Sequence, residues 1–168
     1  MARVVVLLGA PGSGKSTVGE ELGRRGLRWR DREPEIVARW GSRESFVARK
    51  DELLPVLHAE VVAWVAGGGP PAVVESTGLS DAPLLDSLAR DHHCLVVRLD
   101  VSEDGAAARV GARAGGRHLS DDEERNRTVW RAFRDHVVPA RPAGLVVDTE
   151  RATPAEVADA VCDRLVRE

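Results

Sequence analysis

The sequence has few of the residues and runs that mark a secreted, metal-binding or membrane protein. Its two cysteines, Cys94 and Cys162, lie far apart and form no Cys-x-x-Cys pair, which fits a reducing compartment better than a disulfide scaffold. No stretch approaches the roughly 20 apolar residues that span a bilayer. The first strand-like run begins almost at Met1, without the charged and apolar regions of a secretion signal. We therefore expect a cytoplasmic protein.

The chain also lacks an excess of either charge. Its 168 residues carry 24 basic and 27 acidic side chains, a net charge of −3, so no global attraction to nucleic acid or to an anionic membrane is expected. This length fits one compact domain over residues 1–168 and is too short for two ordinary ones. The expected partner is a small molecule, and the expected state is a monomer or homodimer.

Buried strands alternate with amphipathic helices along the chain. Apolar runs predict strands, and Leu27 to Arg30 fits a weaker one. The stronger runs are Val4 to Leu8, Ala72 to Val74, Leu95 to Leu99 and Leu145 to Val147. Helices are predicted between and around them, at 15–25, 34–40, 52–66, from Asp81 onward, and from Thr153 onward. The order predicts an α/β fold whose parallel sheet binds ligands beyond the carboxyl ends of its strands.

The first strand runs directly into a phosphate-binding motif. Gly9-Ala10-Pro11-Gly12-Ser13-Gly14-Lys15-Ser16 matches G-x-x-x-x-G-K-[ST] and is followed by Thr17 and a predicted helix. The loop's amides and the helix dipole would hold the phosphates, Lys15 would reach the β- and γ-phosphates, and Ser16 would bind Mg²⁺. Lysine occurs elsewhere only at Lys50, in a chain otherwise rich in arginine. The motif predicts ATP and Mg²⁺ as cofactors, the alternative being a glycine-rich turn that merely connects strand and helix.

With this motif, the sequence resembles the small P-loop kinases of the shikimate kinase and nucleoside-monophosphate-kinase-like group. The resemblance also rests on an acidic pair at Asp31 and Glu33, an arginine-rich segment from Arg109 to Arg117, and Asp148-Thr149 followed by Thr153-Pro154. No Asn-Lys-x-Asp motif of a GTPase is present. The resemblance implies a three-layer P-loop NTPase fold with a parallel sheet of about five strands flanked by helices, and a short lid. It also implies transfer of a phosphoryl group to an alcohol.

Three carboxylates are candidates for the chemistry. In the resembling kinases an acidic pair after the second strand handles the magnesium-bound water and the acceptor hydroxyl, which makes Asp31 and Glu33 the candidate bases and Asp31 also a candidate metal contact. Glu75 ends a predicted strand at the ligand-binding edge of the sheet, where a second acidic magnesium residue would lie. The alternatives are a solvated charged loop for the pair and a strand-end cap for Glu75.

Arginines recur every four residues at Arg109, Arg113 and Arg117. Such a segment can fold over bound ATP and neutralise the charge of the transferring phosphoryl group. The resemblance implies a lid at about residues 109–121, with Arg117 as its catalytic arginine and Arg109 and Arg113 near the nucleotide. Solvated surface charge is the alternative for any one of them.

The sequence departs from shikimate kinases where these bind their acceptor. Glu75-Ser76-Thr77-Gly78 stands in place of a Gly-Gly-Gly stretch, and the segment from Leu53 to His58 lacks a carboxylate-binding arginine. We therefore expect a different hydroxyl-bearing acceptor, such as another metabolite, a nucleoside or an antibiotic. Four aromatic residues fall in the same half of the chain and could line its pocket: Trp29, Trp40, Phe46 and Trp64. The alternative is packing in the core, which is favoured for Trp64 on a long amphipathic helix and equally open for Trp29 and Trp40.

Two other functions remain open at this stage. A nucleotide kinase with a phosphate acceptor would need arginines facing that acceptor, and the segment between residues 28 and 60 is rich in them. A regulatory ATPase would instead have a water-positioning residue and no acceptor pocket.

Overall fold

A four-stranded parallel sheet forms the centre of the computed structural model, which describes residues 3–41, 43–112 and 122–167. The strands run in the order β2-β1-β3-β4, and their bounds are β1 Arg3–Leu8, β2 Ala72–Ser76, β3 His93–Asp100 and β4 Leu145–Asp148. The helices before β3 are α1 Lys15–Arg24, α2 Glu33–Trp40, α3 Arg43–Ala48, α4 Lys50–Ala66 and α5 Ala82–Asp91. Those after it are α6 Glu103–Gly111, α7 Glu123–Ala132, a π-helical turn Phe133–Val137, α8 Val138–Ala140 and α9 Pro154–Arg167.

β1 lies between two parallel neighbours and is buried on both faces. Val4, Val6 and Leu8 pack towards α4, α5 and the π-helical turn, whereas Val5 and Leu7 pack towards α1 and α9. All five are at most 3% exposed. The continuous β-branched run thus forms a central strand between two helical layers, which confirms the predicted three-layer α/β fold.

The sheet has four strands where the sequence led us to expect about five. The weak strand predicted at Leu27 to Arg30 forms a single bridge, between Arg28 and Ala72. Two backbone bonds hold it: Arg28 N–H donates to Pro71 O at 3.0 Å, and Val73 N–H donates to Arg28 O at 2.8 Å. Pairing stops at this bridge, and the chain then leaves the sheet and enters α2 at Glu33.

Strand register places the functional segments at one edge of the sheet. Leu8 pairs with Ser76 of β2 and with Arg98 of β3, so the loops after these strands emerge side by side. The loop after β1 lies where the connections diverge to β2 on one side and β3 on the other, the usual ligand position in such sheets. Within the described part of the chain, no helix is long and apolar enough to cross a membrane.

Candidate active site

The loop from Gly9 to Ser16 joins β1 to α1 in a conformation that needs glycine. Gly12 and Gly14 have φ angles of 81° and 87°, which side chains rarely tolerate. A Cβ on Gly12 would also lie 2.5 Å from the carbonyl oxygen of Ala106 on α6. The loop therefore packs closely on α6 and then leads into the amino end of α1, where free amides and the helix dipole favour an anion.

Lys15, the first residue of α1, turns its ammonium back over this loop. Its Nζ donates hydrogen bonds to Gly9 O at 2.8 Å and to Ala10 O at 3.0 Å. The loop carbonyls thus hold the charge beside the anion position formed by the loop and the amino end of α1. From this position the ammonium can contact a phosphate bound in the loop.

Ser16 and Glu75 connect the loop to the end of β2. The Ser16 hydroxyl donates to Glu75 Oε2 at 3.1 Å. Burial raises the pKa of Glu75 to about 7; the charges of Glu33 and Asp31 add to the rise, whereas Lys15 and the Ser16 hydrogen bond oppose it. A hydroxyl and a buried carboxylate beside the phosphate loop are oxygen ligands of the kind that Mg²⁺ binds together with phosphate oxygens.

The two acidic residues before α2 occupy different positions. Asp31 Oδ1 accepts a hydrogen bond from the Glu33 backbone N–H at 3.2 Å, and Glu33 is the first residue of α2. Glu33 lines the cavity described next, whereas Asp31 is not among its lining residues. Among the described residues, no three His, Cys, Asp or Glu side chains converge to hold a metal ion by themselves.

A large cavity of about 550 Å³ opens beside the phosphate loop. Lys15, Ser16, Glu33 and Glu75 face one end of it. Its other walls are mainly apolar and come from α2, α3, α4, α5 and α7, with Ile36, Phe46, Leu54, Leu57, Val61, Trp64, Leu84 and Val129 among the lining residues. Such a mixture of apolar walls and few polar groups is typical of a small-molecule site.

The aromatic candidates separate in the structure. Trp64 and Phe46 line the large cavity, and Trp40 contacts Phe46 with ring centroids 6.0 Å apart. Trp29 instead packs on Gly19 and Gly23 of α1, on the opposite face of the sheet.

Several polar residues of the large cavity were missing from the sequence prediction. His58 on α4, Ser80, Asp81 and the buried Asn126 on α7 all line it. No motif or spacing marks them, because they come from separate helices and loops that only the fold brings together.

A small cavity of about 240 Å³ lies on the other side of the loop. Arg109 of α6 forms part of its wall and donates to Gly12 O at 3.3 Å, to Thr149 Oγ1 at 2.9 Å and to Thr149 O at 2.6 Å. Arg109 thereby links the phosphate loop to the loop after β4. Arg113, Arg117 and most of the predicted lid lie outside the described residues.

Comparisons with known proteins show which family the chain belongs to. The family described as AAA domain matches residues 4–140. The shikimate kinase of Thermobifida fusca is 33% identical over 171 residues, covering 96% of this chain and 94% of the relative. The shikimate kinase of Frankia casuarinae is 32% identical over 166 residues, covering 93% of this chain and 69% of the relative.

The fold agrees with these matches. The shikimate kinase of Acinetobacter baumannii, solved in complex with shikimate, superposes with a TM-score of 0.72 at 19% identity, covering 99% of this chain and 94% of that one. The predicted resemblance is confirmed: the chain belongs to the AAA domain family and to the ATP-dependent small-molecule kinases that include the shikimate kinases.

Proposed function

We propose that the protein transfers the γ-phosphoryl group of Mg-ATP to a hydroxyl group of a small molecule other than shikimate, bound in the large cavity. One observation carries this proposal. Lys15, Ser16 and Glu75, which suit a nucleotide, face the same cavity as Glu33, which suits an acceptor hydroxyl. Donor and acceptor could therefore meet without leaving the enclosed space.

The nucleotide would lie across the loop between the two cavities. Loop amides and Lys15 would hold the β- and γ-phosphates, and the small cavity beside Arg109 would receive the nucleoside end. Ser16 and Glu75 would hold Mg²⁺, which supplies charge neutralisation on the phosphate oxygens. The donor set supports this assignment, since a buried carboxylate with a raised pKa gains from a nearby cation.

Glu33 is the better candidate for the base. It lines the large cavity, whereas the Asp31 carboxylate accepts a hydrogen bond from the start of α2. In this assignment Glu33 takes the proton of the acceptor hydroxyl as its oxygen attacks the γ-phosphorus. Asp31 would position Glu33 and contribute negative charge near Glu75. The charge-neutralising role of Arg117 and the part of Arg113 remain predictions from the resemblance.

The cavity walls support an acceptor other than shikimate. The segment from Leu53 to His58 contributes Leu54, Leu57 and His58 to the cavity, and no arginine. Three arginines of other segments line the cavity: Arg30 donates to Glu35 at 2.5 Å, Arg32 donates to Glu60 at 3.2 Å, and Arg125 lies in the first turn of α7. Along the wall that carries Arg30 and Arg32, a carboxylate-bearing ring would therefore find positive charge that is already paired.

The same pairing argues against a phosphate acceptor. Arg28 donates to the carbonyl oxygens of Trp64, Val65 and Pro70, so it anchors the end of α4. Arg39 pairs with Glu60 and Arg49 with Glu52. The large cavity likewise argues against a regulatory ATPase, for which no acceptor pocket is expected.

A phosphorylation screen tests the proposal. The protein is incubated with Mg-ATP and pools of metabolites, nucleosides and antibiotics, with shikimate as a separate sample, and products that gain one phosphoryl group are identified by mass spectrometry. We expect a hydroxyl compound other than shikimate to be phosphorylated by the wild type and not by a folded Lys15→Ala variant. Phosphorylation of shikimate alone would reject the acceptor assignment, and ATP hydrolysis without any phosphorylated product would reject transfer.

A further inference from the structure

Two polar atoms in the wall of the large cavity are buried without a hydrogen-bond partner among the described residues. They are Nε2 of His58 and Oδ1 of Asp81, and both residues line the cavity. Buried polar atoms in folded proteins are almost always bonded, because desolvation without a partner costs stability. Two such atoms in one cavity leave hydrogen bonds that a bound ligand can complete in place of solvent.

The fold places the two side chains close together but does not join them. His58 lies on α4, and Asp81 immediately precedes α5, where its side chain makes no cap bond to the helix. Since neither buried atom has a partner, they do not bond each other. The charge of Asp81 nevertheless acts on His58, so a small group of the ligand can lie between them.

The chemistry of the pair defines that group. Burial lowers the pKa of His58, the charge of Arg32 lowers it further, and Asp81 only partly opposes this. The imidazole is therefore neutral near pH 7 and can donate through Nε2, while the Asp81 carboxylate accepts. A hydroxyl group satisfies both, because it donates one hydrogen bond and accepts another.

We propose that His58 and Asp81 are specificity-determining residues that bind a second, non-reacting hydroxyl of the acceptor. The hydroxyl donates to Asp81 Oδ1 and accepts from His58 Nε2. The acceptor class is then an uncharged polyhydroxy compound, such as a sugar, cyclitol or nucleoside, with one hydroxyl at Glu33 and another at this pair. A carboxylate at the second position would meet the Asp81 carboxylate in a poorly solvated place and be repelled.

This inference rests on the proposed function and predicts a specific kinetic pattern. Wild-type protein is first tested with matched neutral and carboxylate-bearing polyols, shikimate included. For the neutral acceptor that reacts best, His58→Leu and Asp81→Ala should each raise the acceptor KM at least tenfold, as expected for loss of a charged or buried hydrogen bond. The KM for ATP should stay within twofold.

A deoxy acceptor separates recognition from a structural effect. The compound that lacks the second hydroxyl should lose at least tenfold in kcat/KM with the wild type, whereas the two variants should treat both compounds alike within twofold. Because the variants remove unpartnered buried atoms, their melting temperatures should not fall. His136→Ala and Asp91→Ala, at exposed positions outside the cavity wall, serve as controls that should match the wild type.

The outcomes distinguish this inference from the proposed function. Two results would reject the role of the pair while phosphoryl transfer to a neutral polyol stands. In the first, the variants have wild-type kinetics; in the second, they lose as much kcat/KM on the deoxy compound as the wild type does. The role of the pair is also rejected if the wild type prefers a carboxylate acceptor and Asp81→Ala loses no kcat/KM. If the wild type phosphorylates no acceptor, both proposals fall together.

Discussion

Asp31 and Glu33 are two residues apart and carry the same charge, yet their different surroundings support the different roles proposed for them. The Asp31 oxygen is engaged by the first amide of α2, and Glu33 faces the large cavity. A base must reach the acceptor hydroxyl, so position decides between them before pKa does.

The two carboxylates can be tested separately with isosteric amides. We expect Glu33→Gln to lower the transfer rate by about 10² or more, because the amide cannot take a proton, and to leave ATP affinity nearly unchanged. Asp31→Asn keeps an oxygen that accepts the hydrogen bond of the Glu33 backbone amide, so its loss of transfer rate should be much smaller. Transfer rate, ATP affinity and Mg²⁺ dependence are measured for both variants. A larger loss in Asp31→Asn, rescued by raised Mg²⁺, would instead assign Asp31 to the metal.

Glu75 should make the stability of the free protein depend on pH. Its pKa rises from 4.5 to about 7 on folding, mainly through burial. The folded state therefore holds a proton that the unfolded chain has lost between these values. The shifted pKa therefore contributes roughly 3 kcal/mol to the free energy of unfolding below pH 4.5, and this contribution is lost as pH rises through 7.

Glu75→Gln should remove that dependence, because glutamine is neutral at every pH. Urea unfolding of the nucleotide-free protein between pH 4.5 and 8 measures the pH dependence. The free energy of unfolding of the variant minus that of the wild type should rise with pH. Glu20→Gln, an exposed position on α1, is the matched control and should run parallel to the wild type. Parallel curves for Glu75→Gln as well would show that Glu75 ionises normally.

At the scale of elements, α1 depends on glycines that face Trp29. A Cβ on Gly19 would lie 2.6 Å from three atoms of the Trp29 ring, which itself packs against the core on that face. Alanine normally favours a helix over glycine by up to about 1 kcal/mol. At Gly19 the clash opposes that gain.

Alanine substitutions at two glycines should therefore have opposite effects. Gly19→Ala should destabilise the protein by about 1–3 kcal/mol, the usual effect of overpacking. Gly111→Ala, in α6 and with open space around its Cβ position, should be neutral or stabilising by up to about 1 kcal/mol. Denaturant unfolding of both variants measures the difference, and an unchanged Gly19→Ala would mean that Trp29 moves aside freely.

Local patterns predicted most of the elements. Continuous apolar runs predicted all four strands to within two residues at each end, and the stripe of Val157, Val161 and Leu165 correctly predicted the buried face of α9. The length of the edge strand at Leu27 to Arg30 was overestimated, since only one bridge forms. The length of such a strand depends on where the chain leaves the sheet, and a short apolar run does not predict that point.

Only part of the candidate site could be predicted from the sequence, for a related reason. The phosphate loop is contiguous, so spacing alone identified it. His58 and Asp81 are 23 positions apart and carry no motif, so only the packing of α4 beside α5 reveals that they share a cavity. The sequence favoured packing for Trp64 and left Trp29 open, whereas in the structure Trp64 lines the large cavity and Trp29 packs on α1, on the opposite face of the sheet.

At the scale of the whole molecule, one sheet separates two apolar layers that share every central strand. Alternate residues of β1 enter the two layers, so loss of either layer exposes the strand that supports the other. This geometry favours unfolding in one cooperative step, as expected for a single small domain. The single-domain organisation predicted from chain length can therefore be tested from the two sides of the sheet.

Two single-tryptophan proteins report on the two layers separately, one retaining Trp29 near α1 and α9, and one retaining Trp130 beside the opposite layer. Val161→Ala, a fully buried position on α9, should destabilise the protein by roughly 2 kcal/mol. Because the strands are shared, the urea midpoint should shift equally for both reporters. Val166→Ala, on the same helix but 86% exposed, should shift neither. If Val161→Ala shifted only the Trp29 reporter, the two layers would unfold independently, and the chain would not behave as one domain.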